Sequence, residues 1–486
     1  MRRFAGRAAL ALALAAAGCK VGPNYARPAA PATPAFKELA GWKPTEPRDG
    51  LDRGAWWSVY ADPLLDGLER QVEVSNQNVI QAAAAYREAT ALIGEARSSL
   101  FPTLALAPGV TRSKSGGGTG GSGGGFASGP RTQYTFEASA SWDLDVWGKI
   151  RRQAESQSAA AQVSAADLAN ARLSAQGSLA TAYFELRGAD SLTNLLTDTA
   201  ADYRGALAIT QNQYDAGTAA RSDVLAADVQ LQSTLALLVA AGVARAQDEH
   251  AIAVLAGKPP AELTIPPAPL SEHVPVVPAG VPSALLERRP DIAAAERTMR
   301  QQNALIGVAV AAYYPDISLS AAAGFAGDPL SKLFSAGSAV WSLGGSASET
   351  LFQAGFREAA VAAARANYDA AVATYRQTVL TAFQQVEDEL SDLRILQQQA
   401  EAEDRTVAAA RHAVEVTLNE YRAGTVVYTT VITEQAALLA AQQTQLSVLQ
   451  SRMVASVALI QALGGGWQAG ELPPSASEGL LPVPPP

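Results

Sequence analysis

Residues 133–144 read QYTFEASASWDL, and the alternation in them decides what kind of fold the chain builds. Tyr134, Phe136, Ala138, Ala140, Trp142 and Leu144 share one face of an extended chain. Gln133, Thr135, Glu137, Ser139, Ser141 and Asp143 share the other, because strand side chains alternate with a period of two. The pattern fits a membrane barrel strand, apolar toward lipid and polar toward a water-filled lumen. It equally fits a strand of a soluble sandwich, and this stretch alone does not separate the two.

The neighbouring sequence supplies partners for it. In residues 103–111, Leu104, Leu106 and Val110 alternate with Thr103, Ala105, Ala107 and Thr111, and a glycine-rich loop follows at 116–125. Such a composition makes a flexible connection. Strand patterns recur at 316–325, where Ile317 and Leu319 oppose Ser318 and Ser320. They recur again at 340–351, where Trp341 and Leu343 oppose Ser342 and Gly344. Two β-hairpins are therefore expected, at 103–146 and 316–351.

Between and after the hairpins the period changes. Asp62 and Pro63 suit the N-cap and first position of a helix, expected to run to the Phe101-Pro102 stop. From Gly148 a helical pattern without proline runs to the turn near Tyr214; at about 1.5 Å per residue it spans roughly 100 Å. A return helix follows at 222–255. The second copy is expected at 354–421, with Val372, Tyr375, Val379, Phe383, Val386, Leu390 and Leu393 three and four apart. Its return helix carries Leu446, Leu449, Met453, Val457 and Ile460. Near-seven-residue spacing over such lengths predicts coiled-coil packing.

The turns themselves repeat. QNQYDAGTAARSDVLAADVQL at 211–231 recurs as LNEYRAGTVVYTTVITEQAAL at 418–438, so Tyr214 answers Tyr421 and Gly217 answers Gly424. Each glycine suits the left-handed position that closes a helix. The chain is thus divided into a signal at 1–18, an extended arm at 19–60, and a first repeat at 61–256 with its helical hairpin at 148–256. A proline-rich linker at 257–284, a second repeat at 285–463 with its helical hairpin at 354–463, and a tail at 464–486 complete it. The expected class is mainly α with a membrane β-barrel, built from an internally duplicated chain.

Composition narrows the function. Among 486 residues only 17% are charged and the formal net charge is −9, which argues against nucleic acid as a partner. One Cys and three His exclude a disulfide framework or a Cys/His metal cluster. Arg2, Arg3 and Arg7 precede an apolar stretch at 8–17 that closes on Gly18-Cys19. This resembles a bacterial lipoprotein signal with Cys19 as the acylated first mature residue, although Ala16 stands where Leu is more usual. Lys20 in place of Asp favours the outer membrane. No later run of 18 apolar residues suggests a membrane helix, so a membrane would be crossed by strands. Four strands cannot close in lipid without unpaired backbone edges. The chain must then oligomerise: a dimer gives the minimum of eight strands, a trimer twelve.

An enzyme finds little support. His250, His273 and His412 lie in unrelated contexts. Glu387-Asp388-Glu389 reads as a lumen-facing or solvated charge group on a long helix, and 116–125 lacks the Lys-Ser/Thr of a phosphate loop. No cofactor, metal or catalytic residue is expected.

Several segments resemble one family closely: SWDLDVWGKIRR (141–152), LATAYFELRGAD (179–190), PSALLERRPDIAAAE (282–296), IGVAVAAYYPDISLS (306–320), TLFQAGFREA (350–359) and TVLTAFQQVEDEL (378–390). With VGPNYARP after Cys19, they are similar to the outer membrane factors, TolC-like efflux tunnels, and among these the NodT-type lipoproteins that serve RND pumps. The resemblance implies a homotrimer with a 12-stranded β-barrel in outer-membrane lipid, continued by a long α-helical coiled-coil barrel. It implies a channel-tunnel receiving substrates from an inner-membrane RND transporter through a periplasmic membrane fusion (adaptor) protein. It places adaptor-docking tips at Gly217, Thr218, Gly424 and Thr425. A periplasmic gate is implied at Asp223 and Tyr421, with Asp215, Arg221 and Arg422 close by; Thr430 and Thr433 stand where the best-known relative has an acidic ring. Type I protein secretion or metal efflux would use the same tunnel, although three methionines outline no metal relay. A purely structural periplasmic coiled-coil lipoprotein would leave residues 133–144 unexplained.

Overall fold

A computed structural model describes residues 20–31, 33, 35–39, 55–114, 130–277, 288–467, 470 and 472–473. The signal, Cys19 and the glycine-rich stretch 116–125 lie outside the described residues.

Helix α1 is Pro63–Ser75 and α2 is Gln77–Ser98. Asp62 caps α1 by accepting from the Leu64 and Leu65 amides, at 2.9 and 3.2 Å. The single helix expected up to Phe101 is broken at Asn76. This residue is extended, caps α2 by accepting at its side-chain oxygen from the Asn78 and Val79 backbone amides, and donates its side-chain Nδ2 to the Leu255 carbonyl at 2.8 Å. One side chain thus satisfies a helix start and a tertiary contact together, which outweighs the small gain of continuing the helix.

Strands β1 (Thr103–Ser113) and β2 (Arg131–Leu144) lead into helix α3, Lys149–Asp215, and its return α4, Arg221–Leu255. The second copy runs α5 (Pro290–Ala311), β3 (Asp316–Gly327), β4 (Ala339–Ser348), α6 (Phe356–Arg422) and α7 (Tyr428–Ala462). Both α3 and α6 have 67 residues, and both α4 and α7 have 35. β4 stops at Ser348, short of the expected Leu351. Ala354 and Gly355 then turn through positive φ, so α6 begins at Phe356. Gly148 occupies the same left-handed position before α3.

The strands form one antiparallel sheet in the order β1-β2-β3-β4. Leu104 faces Ala140, Phe136 faces Phe325, and Ala323 faces Trp341. The apolar face read from residues 133–144 therefore runs unbroken across all four strands, with Ser, Thr, Gly and Glu137 on the opposite face.

One expectation is corrected. By length and composition alone helix α4 passes as a membrane span, although it holds no uninterrupted run of 18 apolar residues. It is nonetheless packed along α3 as the returning limb of a hairpin.

The main core lies where the short helices α1, α2 and α5 meet the long ones. Leu65, Val72, Leu179, Tyr183, Ile252, Ile292, Tyr375, Val386 and Val457 are buried there. The segments that carry the resemblance act here as clamps. Arg152, fully buried, donates to the Val21 and Gly22 carbonyls and to Asn24, and pairs with Glu155. Arg187 and Asp190 hold the linker through the Pro266 carbonyl and the Ala268 amide. Glu387, expected as a solvated or lumen charge, instead accepts from the Lys37 and Glu38 amides at 2.6 and 2.9 Å. It caps the short helical turn of the N-terminal arm, an anion on free amides.

Candidate functional site

The two hairpin tips share one backbone. After α3 the Gly217 φ is 71°, its amide donates to the Tyr214 carbonyl, and the Thr218 amide donates to the Gln213 carbonyl at 2.8 Å. After α6 the Gly424 φ is 74°, its amide donates to the Tyr421 carbonyl, and the Thr425 amide donates to the Glu420 carbonyl at 3.0 Å. Both threonine hydroxyls reach back to the same carbonyls. This is the paired closure that a left-handed glycine permits. Gly217, Thr218, Gly424 and Thr425 are exposed, with open space around both glycines.

The tips differ in what they pack. Tyr428 occupies the place that Arg221 holds in the first tip. It is buried with Ala227 and Val431, and its ring lies 5.2 Å from that of Tyr421. Tyr421 in turn donates its hydroxyl to Gln213 Oε1 at 2.6 Å. Burial, and then the Asp223 carboxylate nearby, raise the Tyr421 phenol above its ordinary range. The hydroxyl therefore stays protonated and donating at neutral pH.

Of the five gate residues read from the sequence, Tyr421 and Asp223 come together, while Asp215 accepts from Gln211 one helical turn away. Arg221 and Arg422 are exposed and form no ion pair within the protomer among the described residues. Gln213 was missed: its counterpart in the repeat is Glu420, and nothing in the sequence distinguishes a latch from a polar tip residue. Thr433 is exposed and donates to its own helix at Thr429, so no acidic ring stands there.

A groove beside the first tip has a cavity volume of about 560 Å³ and is lined by Arg204, Leu207, Gln211, Val224, Leu225 and Asp228. Leu225 is also one of the large apolar side chains that α4 leaves exposed, with Val229, Leu237, Val239 and Val243.

A duplicated chain, a sheet with open edges and helices of about 100 Å define a class: outer-membrane channels with a periplasmic helical extension. The chain belongs to the outer membrane efflux protein family, whose model matches residues 68–258 and again 281–465. It is 30% identical over 476 residues to the toluene efflux pump outer membrane protein TtgF of Pseudomonas putida, covering 94% of this chain and 96% of that one. It is 29% identical over 467 residues to the cation efflux system protein CusC of Escherichia coli, covering 94% and 98%. Among solved structures, the outer-membrane channel OprN aligns with a TM-score of 0.84 at 32% identity, over 93% of this chain and all of that one. The CmeC channel of Campylobacter jejuni shares the fold, with a TM-score of 0.87 at 23% identity, over 93% of this chain and 96% of that one. The chain is an efflux channel of the outer membrane.

Proposed function

We propose that three copies of this chain close one tunnel, which takes substrate from an inner-membrane RND pump through a periplasmic adaptor and conducts it passively outward. The observation that carries this is the sheet: among the described residues β1 and β4 are both unpaired edges, and the apolar face is continuous across the register. An unpaired edge in lipid costs several kcal/mol per backbone group, and three copies of four strands remove every edge. The exposed apolar face of α4 is covered in the same act, by the helices of the next protomer.

The tips Gly217, Thr218, Gly424 and Thr425 form the periplasmic mouth and meet the adaptor. Tyr421 and Asp223, with Asp215, Arg221 and Arg422 at the rim, hold the mouth closed, the exposed charges acting between protomers. Lys20 pairs with Glu155 at 2.5 Å and the Val21 amide donates to the Trp147 carbonyl at 3.1 Å. Lys20 and Val21 are thereby held at the foot of the sheet, and acylation of the preceding Cys19 would add a lipid anchor to the barrel.

Cargo is left to the pump. Relatives of similar identity are named for toluene, an antibiotic, pyoverdine and cations.

The test is conductance. Purified full-length protein in a planar bilayer opens a channel when the tips are loosened by charge reversal at Asp223 or Arg422. A Cys19→Ala chain still inserts, because the barrel is itself an anchor. Loss of all membrane association in that variant would instead favour a coiled-coil lipoprotein.

A further inference from the structure

The two ends of the sheet treat their cations differently. At the helical end Lys149 pairs with Asp316 at 3.5 Å, Arg151 with Asp145 at 3.0 Å, and Arg357 with Glu349. At the far end Arg112, Lys114 and Lys332 are exposed and form no ion pair among the described residues. The sequence from Arg112 to Arg131 contains no acid, and that from Gly327 to Ala339 contains only Asp328. In a chain of net charge −9 this rim is locally basic.

Placement on the sheet makes the charge specific. Arg112 continues the face of Leu104, Leu106 and Val110, whereas Arg131 falls on the opposite face with Gln133 and Thr135. The β3–β4 connection folds back onto that same apolar face. The Phe334 ring lies 5.6 Å from Phe136 and 5.4 Å from Phe325, which are themselves partners across β2 and β3. Lys332 stands two residues before Phe334. Its carbonyl accepts from the Ser335 amide and the Ser338 hydroxyl, both at 3.0 Å, which fixes its backbone at the rim.

We propose that Arg112 and Lys332, above the Phe136–Phe325–Phe334 cluster, form a seat on the outer surface of the barrel for the phosphate headgroup of an outer-leaflet lipid. The inference rests on the barrel lying in the outer membrane with its helices in the periplasm. Aromatic rings at the edge of an apolar band mark the level where acyl chains give way to headgroups. Cations at that level that pair with no protein carboxylate among the described residues are free to pair with lipid phosphate, and an Arg does so through two parallel hydrogen bonds. The seat also explains why this connection lies outward: Phe334 and Lys332 together give it a lipid to lean on, away from the lumen.

The experiment uses full-length protein in phosphatidylcholine nanodiscs doped with diphosphoryl lipid A or with the same lipid stripped of phosphate. Lipid retained with the protein is quantified by mass spectrometry. At about 1 kcal/mol per surface cation, the unmodified chain should favour the diphosphoryl form by roughly tenfold or more. R112Q/K332Q should fall to near parity, while R405Q/R411Q, the same charge change out on α6, should retain the preference. Equal retention of both lipids by the unmodified chain, which needs no variant to fold, overturns the proposal, as does equal loss in both variants. Protein that inserts and conducts without lipid preference sinks the seat alone; protein that never inserts sinks the tunnel with it.

Discussion

Tyr421 of the second tip donates its hydroxyl to Gln213 of the first at 2.6 Å, so the two helical hairpins of one protomer are tied at their free ends. The bond joins residues at the last turns of α3 and α6, which have equivalent backbones and unequal partners. A gate that opens by parting these hairpins must first break it. Tyr421→Phe removes the donor and leaves the ring against Tyr428. A neutral hydrogen bond contributes about 1 kcal/mol net, so the open fraction should rise roughly fivefold, read as single-channel open probability. Gln213→Leu should do the same and add nothing to Tyr421→Phe. Additive effects would mean the two residues act separately.

Arg152 is the second test, of the N-terminal arm. Its guanidinium is the sole side chain serving both the Val21 and Gly22 carbonyls among the described residues. Arg152→Met leaves those carbonyls and Glu155 without it. Breaking a buried charged contact costs about 3 kcal/mol or more. The variant should melt earlier in detergent, and limited proteolysis should release the arm before the helices are cut. An arm as resistant as in the unmodified chain would contradict the clamp.

Two left-handed glycines separate strain from crowding. Gly217 has open space around it, so Gly217→Ala costs only the backbone penalty, about 1 kcal/mol. Gly257 has φ of 72° and a side chain there would strike the Ser75 backbone. Gly257→Ala should cost about 3 kcal/mol, seen as a clearly larger fall in melting temperature. Equal losses would show that the α4 end is not packed on α1.

Glu69 predicts a pH dependence. It is fully buried on α1, neither carboxylate oxygen finds a hydrogen-bond partner among the described residues, and burial pushes its pKa up to about 9. Its ordinary value is 4.5, so between 4.5 and 9 the folded chain holds a proton that the unfolded chain has released. Stability from this group is fully present below pH 4.5 and is lost as pH rises through about 9. Glu69→Gln keeps the shape and removes the titration. Its stability-against-pH curve should be flatter than that of the unmodified chain; a curve of unchanged slope would place the titration elsewhere.

The sheet was legible because a period of two survives in single-residue detail. Once β2 was read, pairing propagated its apolar face through β1, β3 and β4. The tips were legible because duplication repeated a glycine-centred turn. What escaped was contact between distant segments. Asn76 ends one helix and starts another through its bond to Leu255, which helical periodicity does not register. Glu387 sits in an acidic run that reads as solvated until the arm turns out to lie across it. Gln213 differs from its repeat counterpart by identity alone, and only packing makes it the partner of Tyr421.

The central claim is that a four-stranded chain completes its barrel with copies of itself. The direct measurement is the protein mass of the full-length particle in detergent micelles, by light scattering with the detergent contribution subtracted. Three mature chains, each lighter than the 50.3 kDa of the full sequence by the removed residues 1–18, with precipitation when detergent is withdrawn, is the predicted result. A single mature chain, stable in plain buffer, would contradict it.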